Sequence, residues 1–317
     1  MTAHTANSLP SALTGEVLAR LAHWSASRPD QIALQHKRRG QWKAWRWADV
    51  AREVDVLAAS LRDQGVGPGT RLALSGAFEP TLLLLALAAL EAGGEVVSLP
   101  RGGDTAQLRA ALAALQPSHL YFQRREDIAA ALQAVGDDPR EVVLISAHAP
   151  VRDTDRSRVL PVADLHDGPR GDKQFLRHRH ALRASSAWVE EGTEWREGLA
   201  LVLTHWLGGG GSVAFPERSE SAARDRRDVA PVVLLLSPAR LHWLGDEIES
   251  RLAPQGSLRR RLSDWAARAP RHSLVRHLHA RIRRQFGLGR LESVVSADAL
   301  TPNSDHRWVG EFTRTAA

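Results

Sequence analysis

The sequence predicts an α/β fold built from mostly parallel sheets flanked by helices. Three observations lead there. Short apolar runs, such as Arg71–Ser75 and Val232–Leu236, alternate with segments whose apolar residues recur at helical spacing. The connections are short and punctuated by Gly and Pro, which suits parallel strands covered on both faces. The 317 residues, 43% hydrophobic and 25% charged, are enough for one large domain or two smaller ones.

Residues 12–27 place Leu13, Val17, Leu18, Leu21 and Trp24 on one helical face, and Arg28-Pro29-Asp30 ends that helix. Ile32–Gln35 reads as a strand, Lys37–Gln41 as a basic turn, and Trp42, Trp45 and Trp47 as a second strand. Ala48–Leu61 is a helix closed by Gly65-Val66-Gly67-Pro68-Gly69. A strand over Arg71–Ser75 precedes the helix Glu79–Glu91, which Gly93-Gly94 stops. Val96–Leu99, Leu120–Phe122 and Val142–Ile145 read as strands, with helices over Thr105–Leu115 and Asp127–Val135 between them.

Residues 148–177 are polar, rich in Arg and Asp, and lack a period, so they read as an irregular loop between a first α/β subdomain (1–147) and a second (178–317). Helical spacing returns over His178–Val189 and Trp195–Leu207. Strands are expected at Val213–Phe215, Val232–Leu236 and Leu291–Val295, and Pro238 opens a helix. Two Arg-rich helices are expected over 257–268 and 272–285.

The chain has no cysteine, which excludes disulfides and thiolate chemistry and fits a cytoplasmic protein. No basic segment followed by an apolar core opens the sequence. The most apolar run, Thr81–Leu90, is well short of the ~20 residues a membrane helix needs. The net charge of +6 is concentrated: Arg251–Arg290 holds eleven arginines against one acid, Asp264. Lysine occurs at positions 37, 43 and 173 alone. Arginine dominance of this kind points to a GC-rich genome.

Three stretches resemble the AMP-forming acyl-CoA synthetases of the adenylate-forming ligase superfamily, in particular the long-chain fatty-acid–CoA ligase-like branch. The first carries Arg28-Pro29-Asp30, Gly40-x-Trp42, Trp47, Gly65-Val66-x-x-Gly69 and Ala92-Gly93-Gly94 in the family's order. The second is EWREGLALVLTHWLGGGGSVAFPE, Glu194 to Glu217. The third holds LLLSPARLHWL and FGLGRLESVVSADALTPN. The resemblance implies the fold of the family's N-terminal subdomains, without its C-terminal domain, and the branch carries the expectation of a bacterial source. It also implies an acyl pocket near Trp195, His205 and Trp206, and a degenerate adenine-facing position at Ala297 and Asp298.

The same resemblance shows what is missing. The family holds ATP with a Ser/Thr/Gly-rich loop ending in Pro-Lys-Gly, whose backbone N–H groups, hydroxyls and lysine meet the phosphates. At the matching place, within 148–177, this sequence reads DGPRGDKQFL, with Lys173 as its one lysine and no hydroxyl cluster. No Walker-type phosphate loop occurs either. A methyl group at Ala297, where the family has glycine, narrows the approach of a base. The sequence also ends at Ala317 without the family's Tyr-Gly-x-Thr-Glu motif or a late lysine. The expectation is a pseudoenzyme that does not complete adenylation, needs no cofactor, and binds an acyl ligand or partners an intact acyl-CoA synthetase. The alternative is a fatty-acid–CoA ligase completed by a second chain, which would use ATP, Mg²⁺ and CoA.

Other constellations carry less. The pairs His178/His180 and His277/His279 fall in helical patterns without carboxylates at metal-ligand spacing, so no metal site is expected. Arg259, Arg260, Arg261, Arg281, Arg283 and Arg284 offer a basic face that suits anionic lipid at the inner membrane surface. No aromatic interleaving accompanies them, so nucleic acid is not the expected partner.

Overall fold

The protein is described from a computed structural model, which covers residues 9, 11–136, 142–148, 157–165, 174–175, 186–251, 256–258, 261, 280–281 and 283–296. These residues fall into two compact units that interleave along the chain. One is drawn from Met1–Leu34, Ala44–Gln174 and Gly192–Gly210, the other from Gln35–Lys43, Phe175–Glu191 and Gly211–Ala317.

Helix α1 (Ser11–Ser27) leads to strands β1 (Ile32–Arg38) and β2 (Gln41–Arg46). The turn between the strands is Arg39-Gly40, with φ of 51° and 74°. Two consecutive left-handed residues are what a tight two-residue hairpin loop requires. The basic turn expected over Lys37–Gln41 is therefore shorter than anticipated, and Lys37 lies within β1 and is buried. Helix α2 (Trp47–Asp63) starts at the third tryptophan, which the sequence had placed on the strand. The Asp49 carboxylate accepts the backbone N–H of Arg46 at 3.1 Å and turns the chain into the helix there.

Strand β3 (Arg71–Ser75) precedes α3 (Pro80–Glu91), a helix with proline in its first turn and apolar residues on every face. An all-apolar helix is stable only when covered all round, and Leu82 to Ala89 are 0–3% exposed. Gly93, at φ 89°, ends the helix and donates its N–H to the Leu90 carbonyl. Strand β4 (Glu95–Ser98) follows, then α4 (Thr105–Leu115). Asp104 caps α4 by accepting the Gln107 N–H at 2.7 Å. Strand β5 (His119–Phe122), helix α5 (Arg125–Gly136), strand β6 (Val142–Ser146) and strand β7 (Ser157–Pro161) complete the first sheet. Its order is β4-β3-β5-β6-β7, with every pair parallel. The order reverses at β3, since β4 is added on one side and β5 on the other. Part of the 148–177 segment is thus regular: β7 pairs with β6, and Val162–Leu165 form a 3-10 turn. The apolar pair Val159-Leu160 is too short, among arginines, to announce a strand.

The seven-stranded sheet has the order β12-β11-β9-β10-β1-β2-β8, where β8 is Gln174–Phe175, β9 Ser186–Trp188, β10 Ser212–Phe215, β11 Val233–Leu235 and β12 Ser293–Val295. Strands β10, β9, β11 and β12 run parallel. The helix expected over His178–Val189 is contradicted at its described end, where Ser186–Trp188 is strand. A three-residue strand is too short to tell one period from the other. Helices α6 (Gly198–Gly209), α7 (Ala222–Val229) and α8 (Pro238–Arg251) also belong to the described residues. The second unit's core joins Trp42, Trp188, Leu234, Ile248, Phe286 and Leu288. No described helix is long and apolar enough to cross a membrane.

Candidate functional site

Parallel strands place ligand sites at their carboxyl ends, where loops diverge. In the second unit those ends deliver Glu190 and Glu191 after β9, Ser237 after β11, and Ser296 after β12. Trp188, on β9, donates its indole N–H to Glu190 Oε2 at 2.7 Å. Arg226, from α7, donates Nη1 to the same oxygen at 3.1 Å. Arg240, from the first turn of α8, donates Nε to Glu190 Oε1 at 2.8 Å. The Glu190 and Arg226 side chains are fully buried. Burial alone would raise the Glu190 carboxyl, but the Arg226 and Arg240 guanidiniums and the Trp188 N–H outweigh it and hold the group below the usual carboxylate range.

Two further contacts lock this cluster. Arg226 Nε donates to the Phe286 carbonyl at 3.0 Å. Gly287 passes so close that a β-carbon there would lie 2.7 Å from the Arg226 backbone. Glu191 accepts the Ser237 N–H at 2.7 Å and the Ser237 hydroxyl at 2.5 Å, which fixes the start of α8.

A nucleotide triphosphate needs uncommitted cations and N–H donors. Both guanidiniums placed there contact Glu190, Arg226 Nη2 lies 3.8 Å from Glu247 and makes no hydrogen bond among the described residues, and Ser237 is engaged by Glu191. Ser296 Oγ is buried and has no hydrogen-bond partner among the described residues. Residues 166–173, which include Lys173, together with Ala297, Asp298 and the four histidines of the two pairs, lie outside the described residues. No group of three or more His, Asp or Glu that could hold a metal ion occurs among the described residues.

A second buried ion cluster sits on the same unit. Lys37 Nζ reaches Asp225 at 2.8 Å and Asp228 at 2.7 Å. Asp225 also accepts the Ser221 hydroxyl at 2.5 Å and the Glu217 N–H at 3.1 Å. Burial opposes its charge, yet Lys37 and Ser221 win and lower its pKa. His36 beside it donates to the Pro216 carbonyl and meets Phe215 edge-on. Burial first, then Arg38, pushes its pKa down to about 4.

The acyl-pocket candidates lie in the first unit and are packed. Trp206 is 1% exposed and stacks on Trp47 at 5.3 Å, and Trp47 meets Trp24 at 6.3 Å. Trp195 is 4% exposed and edge-on to Phe78 at 6.4 Å. His205 is half-buried, with its pKa lowered by burial. Trp206 is thus already covered by other tryptophans. Of the basic-face candidates, Arg261, Arg281 and Arg284 are exposed. Arg283 instead turns inward, donating Nε to the Leu288 carbonyl at 3.0 Å and Nη2 to the Leu291 carbonyl. Arg259 and Arg260 lie outside the described residues.

Sequence reasoning missed Glu190, Glu191 and Arg226. The one available signal was a pair of acids directly after an apolar run. Arg240 was within the quoted SPAR segment without a role.

Residues 21–176 match the family described as AMP-binding enzyme. The chain is 26% identical over 237 residues to the hybrid PKS-NRPS synthetase pydA of an Acremonium species, aligning over 68% of this chain and 6% of that protein. Among solved structures it resembles the adenylation domain of a carboxylate reductase from Mycobacterium chelonae, at TM-score 0.64 and 16% identity, covering 97% of this chain and 58% of the other. It also resembles acetoacetyl-CoA synthetase from Streptomyces lividans, at TM-score 0.57 and 16% identity, covering 93% and 49%. The chain therefore spans a small part of the curated relative and about half of these solved neighbours. Residues 21–176 are similar to the AMP-binding enzyme family, and the fold resembles part of these adenylation-domain and acyl-CoA synthetase structures.

Proposed function

We propose that this polypeptide keeps the frame of an adenylate-forming enzyme without completing adenylation itself, and serves as an acyl-binding or partner-regulating homologue. The observation that carries the reading is the commitment of Arg226 and Arg240 to Glu190 at the carboxyl edge of the parallel strands. The sequence DGPRGDKQFL, where the family's hydroxyl-rich phosphate loop would lie, supports it. Phosphoryl chemistry depends on positioned cations and donors, and removing one such donor typically costs about 3–4 kcal/mol of transition-state stabilisation. Losing a set of them removes measurable turnover. The test is incubation with ATP, Mg²⁺ and a panel of carboxylic acids. No acid-dependent pyrophosphate release is expected, and such release would refute the reading.

A second reading is favoured by one observation, that this chain covers 58% and 49% of its solved neighbours. A further polypeptide supplying the remainder would make a ligase using ATP, Mg²⁺ and CoA. Co-purification of a chain opening on Tyr-Gly-x-Thr-Glu, with ligase activity in the mixture alone, would support it. A single-component preparation from the native source would count against it.

A further inference from the structure

The first unit holds a cavity of about 50 Å³ at the carboxyl ends of β3, β4 and β5. It is lined by Ser75, Gly102, Gly103, Leu108, Phe122 and Asp127, among others. This is where the strand order reverses, since β4 and β5 flank β3 on opposite sides. In open parallel sheets such reversal points leave a crevice, and ligands bind there. The walls are mainly apolar, with one acid.

That acid is unusual. Asp127, in the first turn of α5, is 9% exposed, and its Oδ2 has no hydrogen-bond partner among the described residues. Its other contact is the backbone N–H of Gly102. Two guanidiniums lie near, but each engages another acid. Arg101 donates Nε to Glu194 at 2.5 Å, and Arg124 pairs with Glu126 at 3.3 Å. A buried carboxylate oxygen left without a donor is costly, so its persistence needs an explanation. Burial raises the group's pKa, as expected for a charge waiting for a donor.

We propose that this cavity is a binding site for a small primary amine, with the ammonium donating to Asp127 Oδ2 and a short aliphatic body against Leu108 and Phe122. The size limits the ligand. One water-sized body needs roughly 10–15 Å³, so the space admits a chain of about three to five non-hydrogen atoms. The donor requirement excludes carboxylates and phosphates, which would face Asp127 with like charge.

The probe is n-butylamine, with n-butanol and butyrate as controls, followed by calorimetric titration and by crystals soaked in each compound. The expected result is amine density with its nitrogen within hydrogen-bond distance of Asp127 Oδ2, weaker binding of n-butanol and none of butyrate. Asp127→Asn should weaken the amine about tenfold or more, the loss of a charge-assisted hydrogen bond. Ala111→Leu, on the cavity wall, should abolish binding by filling the space. Without ligand, Asp127→Asn should melt no lower than the parent, because it removes an unpaired buried charge. Crystals showing water alone, equal amine affinity in Asp127→Asn, or a marked drop in its melting temperature would each overturn the proposal.

Discussion

Replacing Glu190 with glutamine tests the ion cluster on which the functional reading leans. The change keeps the shape and the Trp188 contact but removes the charge that two guanidiniums share. Arg226 is fully buried and Arg240 largely so, with side-chain exposures of 0% and 19%. At an effective dielectric near 20, a unit charge pair at the 3.1 Å separation of Arg226 and Glu190 attracts by about 5 kcal/mol. Much of that offsets desolvation, and breaking one side of a buried pair typically costs about 3–5 kcal/mol. Glu190→Gln should therefore lose about 3–5 kcal/mol, read as a lower urea midpoint at unchanged slope with tryptophan fluorescence as the probe. The double variant Glu190→Leu/Arg226→Leu should lose less than the two single changes together, with a coupling of about 2 kcal/mol or more. A loss below about 1 kcal/mol in Glu190→Gln would mean that the guanidiniums do not depend on this carboxylate. They would then be available to an anion, and the reasoning would fail.

Other perturbations have defined outcomes. His36, with a folded pKa of about 4 against 6.5 unfolded, is neutral in the folded protein while the unfolded chain takes up a proton between those values. Its contribution is complete above about pH 6.5 and is lost as pH falls toward about 4. That amounts to about 3 kcal/mol, and denaturation at stepped pH should show His36→Gln lacking this slope. Lys37→Met should cost about 3 kcal/mol at neutral pH by stranding buried Asp225. Asp225 has a depressed folded pKa, so its ion pair is intact above the normal carboxylate range and fails as pH drops through its folded value. The Lys37→Met penalty should accordingly shrink in acid, and a constant penalty in urea melts would contradict this. Gly198→Ala places a methyl 2.7 Å from the Trp195 ring and 2.8 Å from Phe78. It should cost about 1–3 kcal/mol and alter the near-ultraviolet circular dichroism of Trp195.

Much of the first unit was readable because its signals are local. Asp104 capping α4, Pro80 opening α3 and Gly93 closing it act within a few residues of the ends they set. The helices over 47–63, 80–91 and 105–115 were accordingly expected within a residue or two. Strands such as β11 were visible as continuous apolar runs. What escaped the sequence depends on partners far along the chain. Lys37 looked like a solvated turn residue because Asp225 and Asp228 lie 188 and 191 residues away. Strand β9 was read as helix because Ser186-Ala187-Trp188 is too short to display a period. The Glu190 cluster draws on three separate elements, so no spacing rule connects its members. The tryptophans at 195 and 206 were read as acyl-pocket candidates, but whether a ring faces a ligand or another ring is decided by tertiary packing alone.

The most direct test of the functional reading is ATP–pyrophosphate exchange by the purified polypeptide, run with Mg²⁺ across short, medium and long carboxylic acids. Exchange indistinguishable from the enzyme-free control, for every acid, is the predicted result. Exchange that rises with one acid and saturates with ATP would show that these residues do steady a reacting phosphate, and would contradict the account.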